Sequence, residues 1–219
     1  MTDRELMGAS GLFSDLSDEQ LDGLLEASTD RSLYRGDALF AEGEPATELF
    51  LVKSGRIAIS NRSFDGRESV VALMERGDLF GEMPLFDDDG RSAGARALEQ
   101  SSVIVLPYQP VKTLFREHPE LLWQVVSLLV GRLRAVDEAL ADSVFLDVSG
   151  RTAKRLLELA GDSEEFSLPI TQEELAGMVG ASRERVNKAI ASFTKLGWID
   201  QLDRHYRILD RRQLEIRAR

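Results

Sequence analysis

The sequence predicts an α+β chain in three stretches: a β-rich N-terminal half, one long helix, and a compact helical C-terminal part ending in a short hairpin. Three observations carry that expectation. Between residues 32 and 106, strand-length runs (LFLV, RIAIS, SVVALM, SSVIVLP) are separated by Gly36, Gly43, Gly55, Gly66, Gly77 and Gly90, the texture of an antiparallel roll or sandwich. From 119 to 145 the apolar positions Leu122, Val126, Leu129, Leu133, Val136 and Leu140 recur at alternating intervals of four and three, which is a heptad seam. From 170 to 197 the chain reads ITQEELAGMVGASRERVNKAIASFTKLG, two helix starts with a glycine between them.

The elements follow in order. Ser17 with Gln20 forms a capping box and predicts a short helix over 17–27. In FDGRE, residues 64–68, Asp65-Gly66 suits a type I′ turn and predicts a hairpin. After Pro107 and Pro110 the apolar period lengthens to that of a helix. A helix of about 25 residues is ~38 Å long, and a stripe of that length needs a partner. Two partners satisfy it, the chain's own barrel or a second copy lying parallel; the even heptad spacing makes the second copy the expectation. The helix is expected to end or kink at Asp147-Val148-Ser149-Gly150. The division is therefore 1–116 for the β-roll, 117–146 for the long helix, 147–150 for a hinge and 151–219 for the C-terminal domain.

Within that last domain, Thr171 and Glu174 form a second capping box, starting a helix that runs to about Val179. Gly180 gives the sharp turn, Ser182 caps a second helix, and Gly197 stops it. Two short helices joined this way make a helix-turn-helix, whose second helix enters the major groove of double-stranded DNA. That helix exposes Arg183, Glu184 and Lys188, with Val186, Ala189, Ile190 and Phe193 inward. Arginine and lysine donate to guanine, and glutamate accepts from the cytosine amino group. Thr171, Gln172, Ser182 and Arg185 are candidates for phosphate contact, which sets register and not sequence. WIDQLDRHYRIL (198–209) alternates as a two-stranded wing. The competing reading is an ordinary helical hairpin with solvated charges.

Composition bounds these expectations. The net charge of −11 over 219 residues opposes nucleic acid at first. It is unevenly spread: residues 150–219 carry 13 Lys and Arg against 11 Asp and Glu, and residues 1–149 carry 14 against 27. Only the C-terminal part is electrostatically fit for DNA. With no cysteine, disulfides, thiolate metal sites, cysteine nucleophiles and cysteine-bound iron–sulfur clusters are excluded. The two histidines are His118, expected on the surface, and His205, in the wing within reach of a phosphate. No apolar run has the length of a membrane span, and MTDRELMGASGLF lacks a basic start followed by an apolar block; a cytoplasmic protein without a membrane partner is expected. No P-loop, Ser/His/Asp constellation or metal cluster points to an enzyme.

One stretch remains, FGEMPLFDDDGRSA at 80–93, with a carboxylate at Glu82 and a guanidinium at Arg91. Arg91 either neutralises Asp87, Asp88 and Asp89 on the surface or holds an anion. Three successive aspartates point in different directions and lack the alternating pattern of a calcium loop.

FGEMPLF…GRSA resembles the phosphate-binding cassette of cyclic-nucleotide-binding domains. VFLDVSGR (144–151) resembles the hinge, and ITQEELAGMVGASRERVNKAI the recognition motif, of the cyclic-AMP receptor protein and FNR-type transcription regulators, the actinobacterial members above all. The resemblance covers nearly the whole chain in the same order. It implies a cyclic-nucleotide-binding, jelly-roll-like β-roll, a long dimerisation helix and a winged helix-turn-helix, acting as a homodimer on a palindromic TGTGA-like site with RNA polymerase as a partner. It also implies that Gly81, Glu82, Met83, Arg91, Ser92 and Ala93 of the cassette, with Arg132, Val136 and Asp137 of the long helix, surround a cyclic nucleotide. Arg91 and the Ser92 hydroxyl would hold the cyclic phosphate, Glu82 would accept the ribose 2′-hydroxyl proton, Gly81 would let the backbone come close, and Pro84 would open a short helix.

The chain departs from the family at the base. The family's threonine–serine pair on the long helix falls here on Val136 and Asp137. Valine makes no hydrogen bond and lies on the seam, whereas aspartate accepts either from an adenine amino group or from two donors on a guanine edge. The resemblance implies a purine effector, with cyclic AMP favoured and cyclic GMP or cyclic di-GMP fitting the altered pair. The remaining alternative is a nucleotide-independent DNA binder with a vestigial pocket.

Overall fold

The structure, a computed structural model, describes residues 1–62, 64 and 68–219. It divides into two units, residues 1–66 with 71–134 and residues 67–70 with 135–219.

The first unit opens with α1 (Asp3–Ala9), which the sequence reading did not include although Thr2 and Glu5 form a full capping box. α2 (Asp18–Glu26) follows, capped by Ser17 and Gln20 as expected. The strands are β1 (Thr29–Leu33), β2 (Ala38–Phe40), β3 (Glu48–Ser54), β4 (Ile57–Arg62), β5 (Glu68–Met74) and β6 (Leu79–Phe80). A short helix α3 (Met83–Asp87) comes next, then β7 (Gly94–Ala97) and β8 (Ser101–Pro107). They form two four-stranded sheets, ordered β1-β8-β3-β6 and β2-β7-β4-β5, the jelly-roll-like arrangement of the antiparallel expectation. The turn at Asp65-Gly66 lies outside the described residues.

β3 shows why these strands read as apolar runs and not as alternation. Leu49, Phe50, Leu51 and Val52 are all buried because successive side chains leave opposite faces and both faces are covered. Leu49 and Leu51 pack with Leu6, Met7 and Leu12, and Phe50 and Val52 pack with Ile57, Phe80 and Val103.

After β8 come α4 (Tyr108–Glu117), one 3-10 turn at Pro119–Leu121, and α5 (Leu122–Phe145). The long helix starts later than the expected 117 because Pro119, which has no N–H to give, opens the 3-10 turn. Its whole heptad seam is exposed in the single chain, from Leu122 at 41% to Val136 and Leu140 at 62%, while Val125 on another side is buried. Within the first unit, Leu122, Val126, Leu129 and Leu133 therefore do not pack on its sheets.

The second unit contains α6 (Val148–Ala160), β9 (Glu165–Ser167), α7 (Gln172–Val179), α8 (Arg183–Lys195), β10 (Ile199–Leu202), β11 (His205–Ile208) and α9 (Arg211–Arg217). The break after α5 falls at Leu146 and Asp147. Residues 147–150 were expected to be a hinge, but Val148, Ser149 and Gly150 form the first turn of α6, because the Asp147 side chain accepts from the Gly150 N–H at 2.8 Å and caps it. Around the buried Leu156, Ile170, Leu175, Val186, Phe193 and Leu214, the helices α6, α7, α8 and α9 make a small core. The wing is a three-stranded sheet, β10-β11-β9; β9 is too short for its alternation to be read.

Candidate functional site

The cassette is built at the meeting of β3, β6, α3 and the loop before β7. Phe40, Phe50 and Phe80 form its floor, with Phe50 and Phe80 stacked at 5.3 Å and Phe40 and Phe50 at 5.5 Å between centroids. Arg91 is only 5% exposed. Its Cζ lies 4.1 Å from the Phe40 ring centroid and 5.3 Å from that of Phe50, a cation on two ring faces. Arg91 Nη1 donates to the Gly81 carbonyl at 2.9 Å and to the Tyr108 hydroxyl at 3.2 Å, and Nη2 donates to the Glu48 carbonyl at 2.7 Å. Its backbone is tied down as well: Arg91 N donates to Glu44 O at 2.9 Å, and Gly43 N donates to Arg91 O at 2.8 Å.

What the guanidinium lacks is a carboxylate. Among the described residues none stands within 4.0 Å of it, and Asp88 is paired with Lys112 at 2.8 Å instead. The surface-neutralising reading of Arg91 is thereby removed. A buried charge without a counter-ion is costly, and burial pushes the Arg91 pKa below its ordinary value. Of the five guanidinium hydrogens, three are used in the bonds above; Nε–H, buried and without a partner, and one Nη2–H remain. Two donors of one planar cation match an anion with two oxygens to offer.

Glu82, fully buried, stands at the N-cap of α3. Arg132 of α5 pairs with both of its oxygens and donates from Nη2 to the Leu79 carbonyl at 3.1 Å. A carboxylate has about four acceptor positions, so Glu82 keeps acceptor capacity beyond Arg132. Pro84 is the second residue of α3, and Met83 the first. Ser92 is exposed, its hydroxyl 3.4 Å from the Met83 sulfur; Ala93 is buried. Gly81 has φ +78°, and a Cβ there would stand 2.7 Å from Arg91 Nη1. Its glycine is required by the arginine first. Val136 and Asp137 belong to the second unit, where both are exposed.

Participants that escaped the sequence reading include Tyr108, Phe40, Phe50 and the Glu48 carbonyl. Each is far from the cassette in sequence, and nothing local marks it.

In the second unit the helix pair is capped as expected. Thr171 accepts from Glu174 N at 3.2 Å, and the Glu174 carboxylate takes the Thr171 N–H at 2.6 Å. Gly180 adopts φ +67°, and Ser182 accepts from Arg185 N. Arg183, Glu184, Arg185 and Lys188 are exposed on α8, opposite buried Val186, Ala189, Ile190 and Phe193. Gln172 is half-buried and its Nε2 donates to the Tyr206 hydroxyl at 2.8 Å, tying α7 to β11. Both histidines lie on the surface, His118 beside Glu120 at 3.1 Å and His205 beside Ser167 at 2.8 Å. Among the described residues no group of His, Asp or Glu is placed to hold a metal, and no helix is long and apolar enough to cross a membrane.

Comparison with known proteins matches residues 30–118 to the cyclic nucleotide-binding domain and residues 150–217 to the Crp-like helix-turn-helix domain. The chain is 35% identical to a CRP-like cAMP-activated global transcriptional regulator of Mycobacterium tuberculosis, over 98% of this chain and 99% of that protein. Among solved structures it is similar to the c-di-GMP responsive global regulator CLP of Xanthomonas campestris, with 25% identity, a TM-score of 0.76, and coverage of 88% of this chain and 99% of the other. The catabolite activator protein of Thermus thermophilus is 31% identical, with a TM-score of 0.55 and coverage of 95% and 98%.

Proposed function

Because this chain belongs to the cyclic-AMP receptor protein and FNR family of cyclic-nucleotide-responsive transcription regulators, we propose that cyclic AMP is its effector and that it acts as a cytoplasmic homodimer on a palindromic, TGTGA-like DNA site. The observation that carries the effector half is Arg91: a buried guanidinium with no carboxylate of the described residues in direct contact and two unused donors. A cyclic phosphate has one negative charge and two exocyclic oxygens, which matches those donors in number and sign. Ser92 and Ala93 follow Arg91 in the loop before β7, Gly81, Glu82 and Met83 lead into α3, and Arg132 would hold the Glu82 carboxylate in place to accept the ribose hydroxyl proton. From the resemblance alone, Asp137 would be the acceptor at the base and Val136 would contribute only apolar surface.

That base pair also supports a second effector. An aspartate accepts from a guanine edge as readily as from an adenine amino group, and the similar Xanthomonas regulator is named as c-di-GMP responsive. Calorimetric titration with cyclic AMP, cyclic GMP and cyclic di-GMP separates the readings. Heat from cyclic AMP at micromolar concentration is expected; no heat from any of the three at high micromolar concentration sinks the effector proposal and leaves a nucleotide-independent DNA binder.

For DNA, α8 would lie in the major groove with Arg183 and Lys188 donating to guanines and Glu184 accepting from cytosine. Lysine is a point charge without the fork of arginine, so readout at its base is looser. Thr171, Gln172, Ser182 and Arg185 would fix register on phosphates, with RNA polymerase as the downstream partner. The exposed seam of α5 supports pairing of two copies, which would set two α8 helices about 34 Å apart. The proposed division is 1–116 for the β-roll, 117–146 for the long helix, 147–150 for a hinge and 151–219 for the DNA-binding domain, with the helix break at Leu146 and Asp147. Arg183→Ala is expected to cost about 1–3 kcal/mol of DNA binding and relax preference at one guanine. A uniform loss on all duplexes, measured by competition, assigns Arg183 to phosphate.

A further inference from the structure

Tyr108 has no part in the resemblance, yet its hydroxyl touches both halves of the cradle. It is buried, the first residue of α4. Its backbone N–H donates to the Thr47 carbonyl at 2.8 Å, and its ring lies in the cluster with Leu85, Val111 and Leu114. The phenol is thus held from two sides. Burial pushes its pKa up to about 12, so the hydroxyl keeps its proton. It donates that proton to the Gly81 carbonyl and accepts from Arg91 Nη1.

We propose that Tyr108 is the positioning residue of the cradle, fixing which edge of the Arg91 guanidinium is left to the effector phosphate. This rests on the nucleotide reading above. The logic is one of hydrogen count. Nη1 has two hydrogens, one given to Gly81 O and one to Tyr108. With both engaged, Nη1 is closed to a ligand, and Nε–H with the second Nη2–H are the donors that remain. Remove the hydroxyl, and Nη1 regains a free hydrogen while only the Gly81 and Glu48 carbonyls still hold the group on the Phe40 ring. The same hydroxyl acts on Glu82. The Gly81–Glu82 peptide is planar, so a carbonyl held by Tyr108 and Arg91 together also fixes the plane from which the Glu82 side chain departs. If the ring were present only to fill the core, phenylalanine would serve equally well.

Tyr108→Phe keeps the ring and removes the oxygen. Cyclic AMP affinity, read by calorimetry, is expected to fall about tenfold, the size of one lost buried hydrogen bond. In an Arg91→Lys background, where no fork exists to be aligned, the same change is expected to cost less than twofold. Nitrogen-15 spectra of the Arg91 guanidinium, recorded without nucleotide, give the independent reading: separate Nη signals in the native chain and averaged ones in Tyr108→Phe. Unchanged affinity in Tyr108→Phe while the native chain binds, or an equal loss in both backgrounds, overturns the assignment. Averaged signals in both proteins overturn it too. Should the native chain bind no cyclic nucleotide, the effector reading fails by itself, and the spectra still decide whether Tyr108 holds the guanidinium.

Discussion

Arg91 and Gly81 illustrate how one contact constrains two positions. The guanidinium rests on Phe40 and Phe50 and reaches the Gly81 carbonyl, and any Cβ at 81 would meet its Nη1 at 2.7 Å and Phe50 Cδ2 at 3.2 Å. Gly43 has a similar positive φ of +80°, but a Cβ there meets nothing within 4 Å. The two glycines separate backbone strain from crowding. Gly43→Ala is expected to lose about 1–2 kcal/mol, the left-handed conformation alone, by urea unfolding. Gly81→Ala is expected to lose more and to weaken nucleotide binding as well, because Arg91 is held by three bonds and cannot move aside cheaply. Equal losses with unchanged binding contradict this account of Gly81. The acid and the arginine of the cradle were legible because they share a short loop with their glycine. Tyr108, Phe40 and the Glu48 carbonyl come from separate strands and a helix, and only tertiary pairing brings them together.

Among the elements, the junction of α5 and α6 is set by a cap. Asp147 accepts from Gly150 N at 2.8 Å and is paired with Arg217 of α9. Arg151 donates to the Leu146 carbonyl at 2.6 Å and to that of Val179 at 2.8 Å, so the residues on both sides of the break are anchored within the second unit. Asp147→Ala is expected to cost about 1 kcal/mol of stability in thermal unfolding. The Gly150 N–H, then Arg217, hold the Asp147 pKa below its ordinary 3.8. Its folded-state pKa being the lower one, its contribution is present above 3.8 and lost as pH falls through the lowered value. Asp147→Asn is therefore expected to lose less stability than the native chain between about pH 5 and pH 2; an identical acid limb denies Asp147 this role. The expected end of the long helix near 147–150 is found, but sequence reasoning put no weight on Asp147 as the cap that starts α6 there. The capped helices α2, α7 and α8 were legible because Ser17, Thr171 and Ser182 act within one turn. α1 carried the same signal at Thr2 and Glu5, in a stretch read only for a leader.

For the molecule as a whole, the unpartnered feature is the seam of α5, whose Leu133 and Leu140 are 60% and 62% exposed. A soluble chain seldom leaves a stripe of that length open, and a second copy would cover it with knobs-into-holes packing. Leu133→Glu is expected to give a monomer by sedimentation at micromolar concentration and to abolish preference for a palindrome over a half-site; a dimer of unchanged affinity contradicts pairing along α5. The net −13 of residues 1–149 against +2 for residues 150–219 favours DNA contact through residues 150–219, and binding is expected to weaken steeply with salt. A ligand in the first unit acts on DNA affinity only by favouring one arrangement of the pair over another. The direct measurement is fluorescence anisotropy of a palindromic duplex titrated with the native chain and with Arg91→Gln, with and without cyclic nucleotide. The native affinity is expected to change at least about fivefold with nucleotide, the lower end of ordinary allosteric coupling, and that of Arg91→Gln not at all. A native affinity that none of cyclic AMP, cyclic GMP or cyclic di-GMP moves, or an equal response in the variant, contradicts it.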